Sequence, residues 1–191
     1  LSITAGFAVA AQSSARRRQH SCASLRSRAA SGEEVMRSSC PPSQPRTRPH
    51  TADDRAEWDA LWRGYLAFYE TDLDDATTAA TFRRLVDPGS GIRGAIARDD
   101  RGAAVGIVHW LTHQGTWTMT DYCYLEDLFV APGVRGGGVG RALIAHVRAW
   151  AEQHGSAKLY WLTAESNTTA RGLYDRVASR SGMIHYEIDL D

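Results

Sequence analysis

The chain has 191 residues, 43% of them hydrophobic and 23% charged, with 22 basic and 22 acidic side chains that cancel at neutral pH. This balance excludes a wholly disordered chain, and no run approaches the roughly 18 uncharged apolar residues of a membrane span, so no membrane partner is expected. Three scattered cysteines, Cys22, Cys40 and Cys123, fall outside any CxxC or Cys/His ligand spacing, which argues against a disulfide scaffold or structural zinc and fits a reducing, cytoplasmic compartment.

The zero balance hides a split. Residues 1–50 hold eight arginines and two acids, a net +6, so residues 51–191 carry −6. A body this acidic lacks the clustered Lys and Arg that phosphate backbones require. That sets nucleic acid aside as a partner, and the acidic field favours a cationic substrate. Residues 1–45 are rich in Ser, Arg and Ala, show no helical or strand period, and end in Cys40-Pro-Pro-Ser-Gln-Pro45. They are expected to be disordered and free of chemistry. Because the chain opens on Leu1 and Met36 lies just before the patterned region, an over-extended reading frame is the first expectation, with an organelle transit peptide second.

Residues 46–191 are one domain's worth of chain, enough to bury roughly two-thirds of the unfolded surface. Arg46 to His50 reads as a short edge strand. Thr51 to Asp54 supply N-cap candidates for a helix whose Trp58, Leu61, Trp62, Tyr65, Leu66, Phe68 and Tyr69 recur at helical spacing. That aromatic stripe is read as core or as a homodimer face. A second helix spans Asp75 to Val86 and stops at Asp87-Pro88-Gly89. Strands follow at Ile92–Arg98 and Ala104–Thr112, then at Tyr122–Val130. Alternation in the last of these sets Leu125, Asp127 and Phe129 on one face and Tyr124, Glu126, Leu128 and Val130 on the other. A periodic helix, Gly140–His154, turns Leu143, Val147 and Trp150 or Ala151 inward. Leu159–Thr163 reads as a buried strand, Asn167 caps a helix carrying Leu173 and Tyr174, and Met183–Ile188 closes as a last strand. The order predicts an α/β domain, a mixed and mostly antiparallel sheet flanked by helices. His109 and His113 lie four apart with no carboxylate nearby, so no metal site is expected there.

The most specific stretch is Val130-Ala-Pro-Gly-Val-Arg135-Gly136-Gly137-Gly138-Val139-Gly140-Arg141-Ala142-Leu143. A strand runs into consecutive backbone donors and then a helix N-terminus, with glycines leaving the N–H groups open and Arg135 and Arg141 bracketing the loop. Such a loop suits a diphosphate. A Walker loop is excluded for want of Gly-Lys-Ser/Thr, and a dinucleotide fingerprint because Arg141 and Leu143 stand where a third glycine is needed.

Arg135-x-x-Gly138-x-Gly140 resembles the coenzyme-A motif of the GCN5-related N-acetyltransferase (GNAT) superfamily, and the resemblance covers residues 46–191. It implies that sheet splayed at the coenzyme site, acetyl-CoA as acyl donor, and loop amides (Gly136, Gly137, Gly138, Val139, Gly140) on its pyrophosphate. Main-chain groups of Leu128, Phe129 and Val130 would meet the pantetheine and thioester, the amide near Phe129 would polarise the acetyl carbonyl, and Asn167 would hydrogen-bond the pantetheine. Tyr124–Val130 is similar to the same strand of diamine acetyltransferases. Tyr160-Trp161-x-Thr163-x-Glu165-Ser166-Asn167 through Tyr174 is similar to small yeast histone/polyamine-type and D-amino-acid acetyltransferases. By the same resemblance, part of the aromatic stripe lines the acceptor pocket.

An amine attacks a thioester only as free base. With a pKa near about 10.4, roughly one lysine-like amine in 2,500 is neutral at pH 7, a deficit of about 4.6 kcal/mol. A positioned carboxylate recovers part of it, and Glu126 is the candidate base, ahead of Asp127. The resemblance assigns Tyr174, seven residues after Asn167, as proton donor to the departing thiolate. The expected activity is direct acetyl transfer to a primary amine of a small molecule, such as a polyamine or amino acid, or of a peptide. The alternatives are a non-catalytic acyl-CoA sensor and a histone-type protein acetyltransferase.

Overall fold

The computed structural model describes residues 44–188 and 190, so all but the end of the 1–45 segment lies outside the described residues. Five strands form one sheet in the order β1-β2-β3-β4-β5. They are β1 (Arg46–Pro49), β2 (Ile92–Arg98), β3 (Ala104–His113), β4 (Tyr122–Val130) and β5 (Lys158–Tyr160). The first four pair antiparallel, and β5 joins β4 in parallel. Helix α1 (Arg55–Phe68) and helix α2 (Asp75–Val86) cover one face, and α3 (Val139–Gln153) the other, with α4 (Thr168–Val177) beside it. Among the described residues no helix is long and apolar enough to cross a membrane.

Local chemistry sets the element ends. Thr51 N–H donates to Asp54 Oδ2 at 2.8 Å at the entry to α1, Asp74 Oδ1 accepts from Thr77 N–H at 2.6 Å ahead of α2, and Asn167 Oδ1 accepts from Ala170 N–H at 3.3 Å ahead of α4. Period-two burial then divides the sheet. Ala95, Val108, Trp110, Cys123 and Leu125 pack on Leu143, Val147 and Ala151 of α3. Ile96, Ile107 and Phe129 pack on Trp58, Trp62 and Leu66 of α1 and Phe82 and Leu85 of α2. Ala151, not the half-buried Trp150, completes the inward stripe of α3.

Three expectations need correction. Strand β4 does not alternate throughout, because its pairing with β3 slips between His109/Asp127 and Trp110/Leu125 and leaves Glu126 as an extra residue. Leu125 therefore faces α3, along with Leu128 and Val130, while Phe129 faces α1. Strand β5 stops at Tyr160 instead of Thr163 and is exposed to half-buried along its length. Met183–Ile188 forms no strand: its apolar side chains are exposed, Met183 at 84% and Ile188 at 86%. An alternating pattern becomes a strand only where a sheet edge accepts its backbone, and this segment pairs with none.

Candidate active site

The site begins where the sheet parts. Strand β5 pairs with β4 only at Tyr122, Cys123 and Tyr124, so from the Glu126 bulge to Val130 the β4 edge has no strand beside it. Ala131 N–H donates to Val105 O at 3.0 Å across the β3 side. Ladder groups alternate, so Phe129 likewise points its N–H and C=O at β3, and those of Leu128 and Val130 point to the open edge. The outward amides are therefore those flanking Phe129, not its own.

Below this edge the chain turns through a short 3-10 turn, Pro132–Val134, into the glycines. Gly136 and Gly138 both have φ +85°, and a Cβ on either would meet nothing within 4 Å. Conformation, not crowding, demands glycine there. Gly138 caps α3, and the first helical bond runs from Ala142 N–H to Gly138 O at 3.0 Å. The N–H groups of Val139, Gly140 and Arg141 consequently lack intrahelical acceptors and sit at the positive end of the helix dipole. Gly137 differs from its neighbours, because its N–H already donates to Val134 O at 3.3 Å. It shapes the loop and offers no free donor there.

A cavity of about 420 Å³ runs from this loop to the open edge of β4. Of the residues singled out from sequence, Leu128, Phe129, Val130, Arg135, Gly136, Gly138, Val139, Gly140, Arg141, Asn167 and Tyr174 line it; Gly137 and Glu126 do not. Arg135 lies at the wall with its Nε donating to Val130 O at 3.2 Å, its guanidinium 5.8 Å from the Phe68 ring centre. Gly140 allows α4 to close on α3, since a Cβ there would stand 3.0 Å from Leu173. Burial raises the Tyr174 phenol above its ordinary range, with a smaller push from Tyr69, so it stays protonated at neutral pH.

Tyr65, Tyr69, Tyr124 and Tyr160 form a polar cup with Glu126 and Asp127: Tyr65 and Tyr69 lie ring to ring at 5.0 Å and Tyr124 and Tyr160 at 4.9 Å. After burial, the charges of both carboxylates help hold the Tyr65 and Tyr124 phenols above their ordinary range, and that of Glu126 does so for Tyr160. Glu126 is exposed at the bulge, and partial loss of hydration there raises its carboxyl pKa, with the Asp127 charge adding to the shift. Tyr69 lines the cavity as well, so the cup and the cavity share a wall. Cys123 is fully buried, and burial pushes its thiol up to about 11, which removes it as a nucleophile.

Sequence reading overlooked Thr169 and Arg176, which line the cavity, whereas Phe68 and Tyr69 there come from the aromatic stripe and Leu173 from the helix that carries Tyr174. The expectation that no carboxylate lies near His109 is overturned, because Asp127 Oδ2 stands 2.9 Å from its Nδ1. Strand register across an eight-residue hairpin loop carries that pairing, and nothing local in the sequence encodes it.

The sequence model of the acetyltransferase (GNAT) family matches residues 56–178. The chain belongs to the GNAT acetyltransferase family. It is 35% identical over 135 residues to the D-amino-acid N-acetyltransferase HPA3 of Saccharomyces cerevisiae, covering 70% of this chain and 84% of that one. Its fold matches that of a ribosomal-protein-alanine N-acetyltransferase from Brucella melitensis with TM-score 0.65 at 21% identity, covering 78% and 100% of the two chains. It also matches AAC(6')-Iy, solved with a bisubstrate analogue of CoA and acetylneamine, with TM-score 0.67 at 19% identity over 78% and 100%. As a GNAT enzyme the chain is an N-acetyltransferase, and GNAT acetyltransferases use acetyl-CoA and act on amine acceptors.

Proposed function

We propose that this GNAT enzyme transfers acetyl directly from acetyl-CoA to the primary amine of a small, cationic acceptor, an amino acid or a polyamine, or of a peptide. One observation carries the reading: a single cavity joins unpaired helix-start amides behind left-handed glycines to the outward amides of a parted strand, and an acidic, tyrosine-walled cup adjoins its far end. The first end suits a pyrophosphate, for which Gly136, Gly138, Val139, Gly140 and Arg141 would supply donors. Leu128 and Val130 suit the pantetheine amides and the acetyl carbonyl, and Asn167 the pantetheine.

Acetyl-CoA, when bound, supplies an activated acetyl thioester. The protein's part is proton handling and orientation. Glu126, directly or through one water, takes the proton that the acceptor ammonium must lose before its nitrogen bonds to the carbonyl carbon. The outward amide of Leu128 or Val130 donates to the carbonyl oxygen as charge grows on it, as in an oxyanion hole. Tyr174 gives its phenolic proton to the sulfur as the C–S bond breaks, and the second proton, lost by the nitrogen as the amide forms, passes to solvent, which restores the phenol. No covalent enzyme step is needed, consistent with the inert Cys123.

The test follows thiol release from acetyl-CoA with spermidine, D-alanine and a lysine peptide as acceptors. Tyr174→Phe is expected to lower kcat about 10- to 100-fold, and Glu126→Gln by about 100-fold, with the acetyl-CoA dissociation constant held by calorimetry. Because the Glu126 pKa is raised, the acid limb of the wild-type pH–rate profile should lie above the ordinary carboxylate range and vanish in Glu126→Gln. A chain that binds acetyl-CoA and acetylates none of the three acceptors overturns the reading.

A further inference from the structure

The proposed chemistry leaves one buried polar cluster without a role. His109 is 1% exposed on the α1 face of β3. The Trp58 indole donates its N–H to His109 Nε2 at 3.0 Å, and His109 Nδ1 lies 2.9 Å from Asp127 Oδ2. An indole N–H can only donate, so Nε2 must accept, and the ring proton sits on Nδ1, aimed at the carboxylate. Trp58 fixes the tautomer, and the tautomer fixes Asp127. His109 and Asp127 are direct cross-strand partners at the last regular pair before the Glu126 bulge, so the register itself anchors this carboxylate beside the candidate base.

The environment of Asp127 differs from that of the acid that ties this fold together. Asp54, buried in the same face, is clamped by two arginines, Arg48 and Arg98. Among the described residues, neither Asp127 nor Glu126 has an arginine or lysine within ion-pair distance. Asp127 instead has the His109 N–H and the Tyr65 phenol beside it, and its side chain keeps 15% exposure.

We infer that His109 is a positioning residue: held by Trp58, it orients Asp127 as the carboxylate that receives the acceptor's ammonium group alongside Glu126. This rests on the acetyltransfer reading above and adds a division of labour to it, with Asp127 setting acceptor affinity and Glu126 moving the proton. His109 touches no substrate and acts only through Asp127.

The test is a double-mutant cycle on the full chain, with spermidine and D-alanine as acceptors. Asp127→Asn is expected to raise the acceptor KM about 10-fold or more while leaving the acetyl-CoA KM unchanged. His109→Gln should raise the same KM, and should add nothing in the Asp127→Asn background. Should His109→Gln fail to fold, Trp58→Phe keeps the ring, removes the N–H and should raise the acceptor KM in the same way. Nitrogen-15 NMR of the imidazole supplies a readout without turnover: the His109 ring should be protonated on Nδ1 in the wild type. An unchanged acceptor KM in Asp127→Asn, additive effects in the cycle, or a ring protonated on Nε2 overturns the assignment. A wild-type chain that acetylates neither of these amines nor a lysine peptide sinks the acetyltransfer reading first, a result distinct from any of these.

Discussion

His50 shows what burial does to one titratable ring. It sits at the end of β1, 7% exposed, with both ring nitrogens lacking partners and Phe82 and His109 as ring neighbours. Burial, then the His109 ring, lowers its pKa to about 3. The unfolded chain takes up that proton near pH 6.5, so between these values the unfolded state binds more protons and stability falls as pH drops. The contribution is whole above pH 6.5 and shrinks by up to about 1.4 kcal/mol per unit below it. His50→Leu removes the ring and its two unpartnered nitrogens. Urea unfolding should show the wild type losing on the order of 2 kcal/mol between pH 7 and pH 5. The variant should lose that much less over the same interval, and be no weaker at pH 7.

At the scale of elements, Asp54 joins β1, β2 and α1. Its oxygens accept from Arg48 at 2.7 Å twice and from Arg98 at 2.9 Å, while Arg98 also pairs with Glu57 on α1. The Arg48 hydrogen bond does most to hold the Asp54 carboxyl well below the usual range. Removing the central anion leaves two guanidiniums facing each other, so Asp54→Asn should cost about 3 kcal/mol in urea unfolding at pH 7, the low end for a buried pair because Arg48 is 43% exposed. The glycine loop gives a second test. Gly138→Ala meets no steric obstacle, so its penalty is the left-handed backbone alone, about 1–2 kcal/mol, with weakened acetyl-CoA binding by calorimetry. Gly133→Ala, on an ordinary backbone with equal space, should be neutral in both measurements. The legible parts of the molecule had local signals of this kind. Asp75 and the Asp87-Pro88-Gly89 stop bound α2, and Asn167 marks the start of α4. The Glu126 bulge, the His109–Asp127 pair, the early end of β5 and the unpaired Met183–Ile188 depend on which edge meets which, and no local pattern carries that.

The described residues form a sheet clothed on both faces, and among them every buried hydrophobic residue lies between Trp58 and Ala151. The cavity draws its walls from the α3 side and from the tip of α1, and the adjoining cup draws its tyrosines from α1, β4 and β5. We propose residues 46–191 as the catalytic domain, with β1 as its outer boundary, because β1 does more than fill an edge. It pairs along all four residues with β2, sends Arg48 to Asp54, and leads into His50, whose backbone N–H donates to Gly94 O at 3.0 Å. Deleting residues 1–43 removes none of these, so kcat, both KM values and the thermal midpoint should match the full chain. Deleting residues 1–50 strips the cover from β2, takes Arg48 from the Asp54 clamp and opens the Phe82 side of the core. Asp54 keeps Arg98, so the loss comes from the β1–β2 ladder and the uncovered core together with the Arg48 pair. It should reach about 3 kcal/mol or more, on the order of a third of a small domain's stability. Parallel thermal melts and acetyl-CoA titrations of the two truncations check the boundary. Equal stability of the two would move the domain's start past β1, and a loss of activity in the shorter deletion would give residues 1–43 a part in the enzyme.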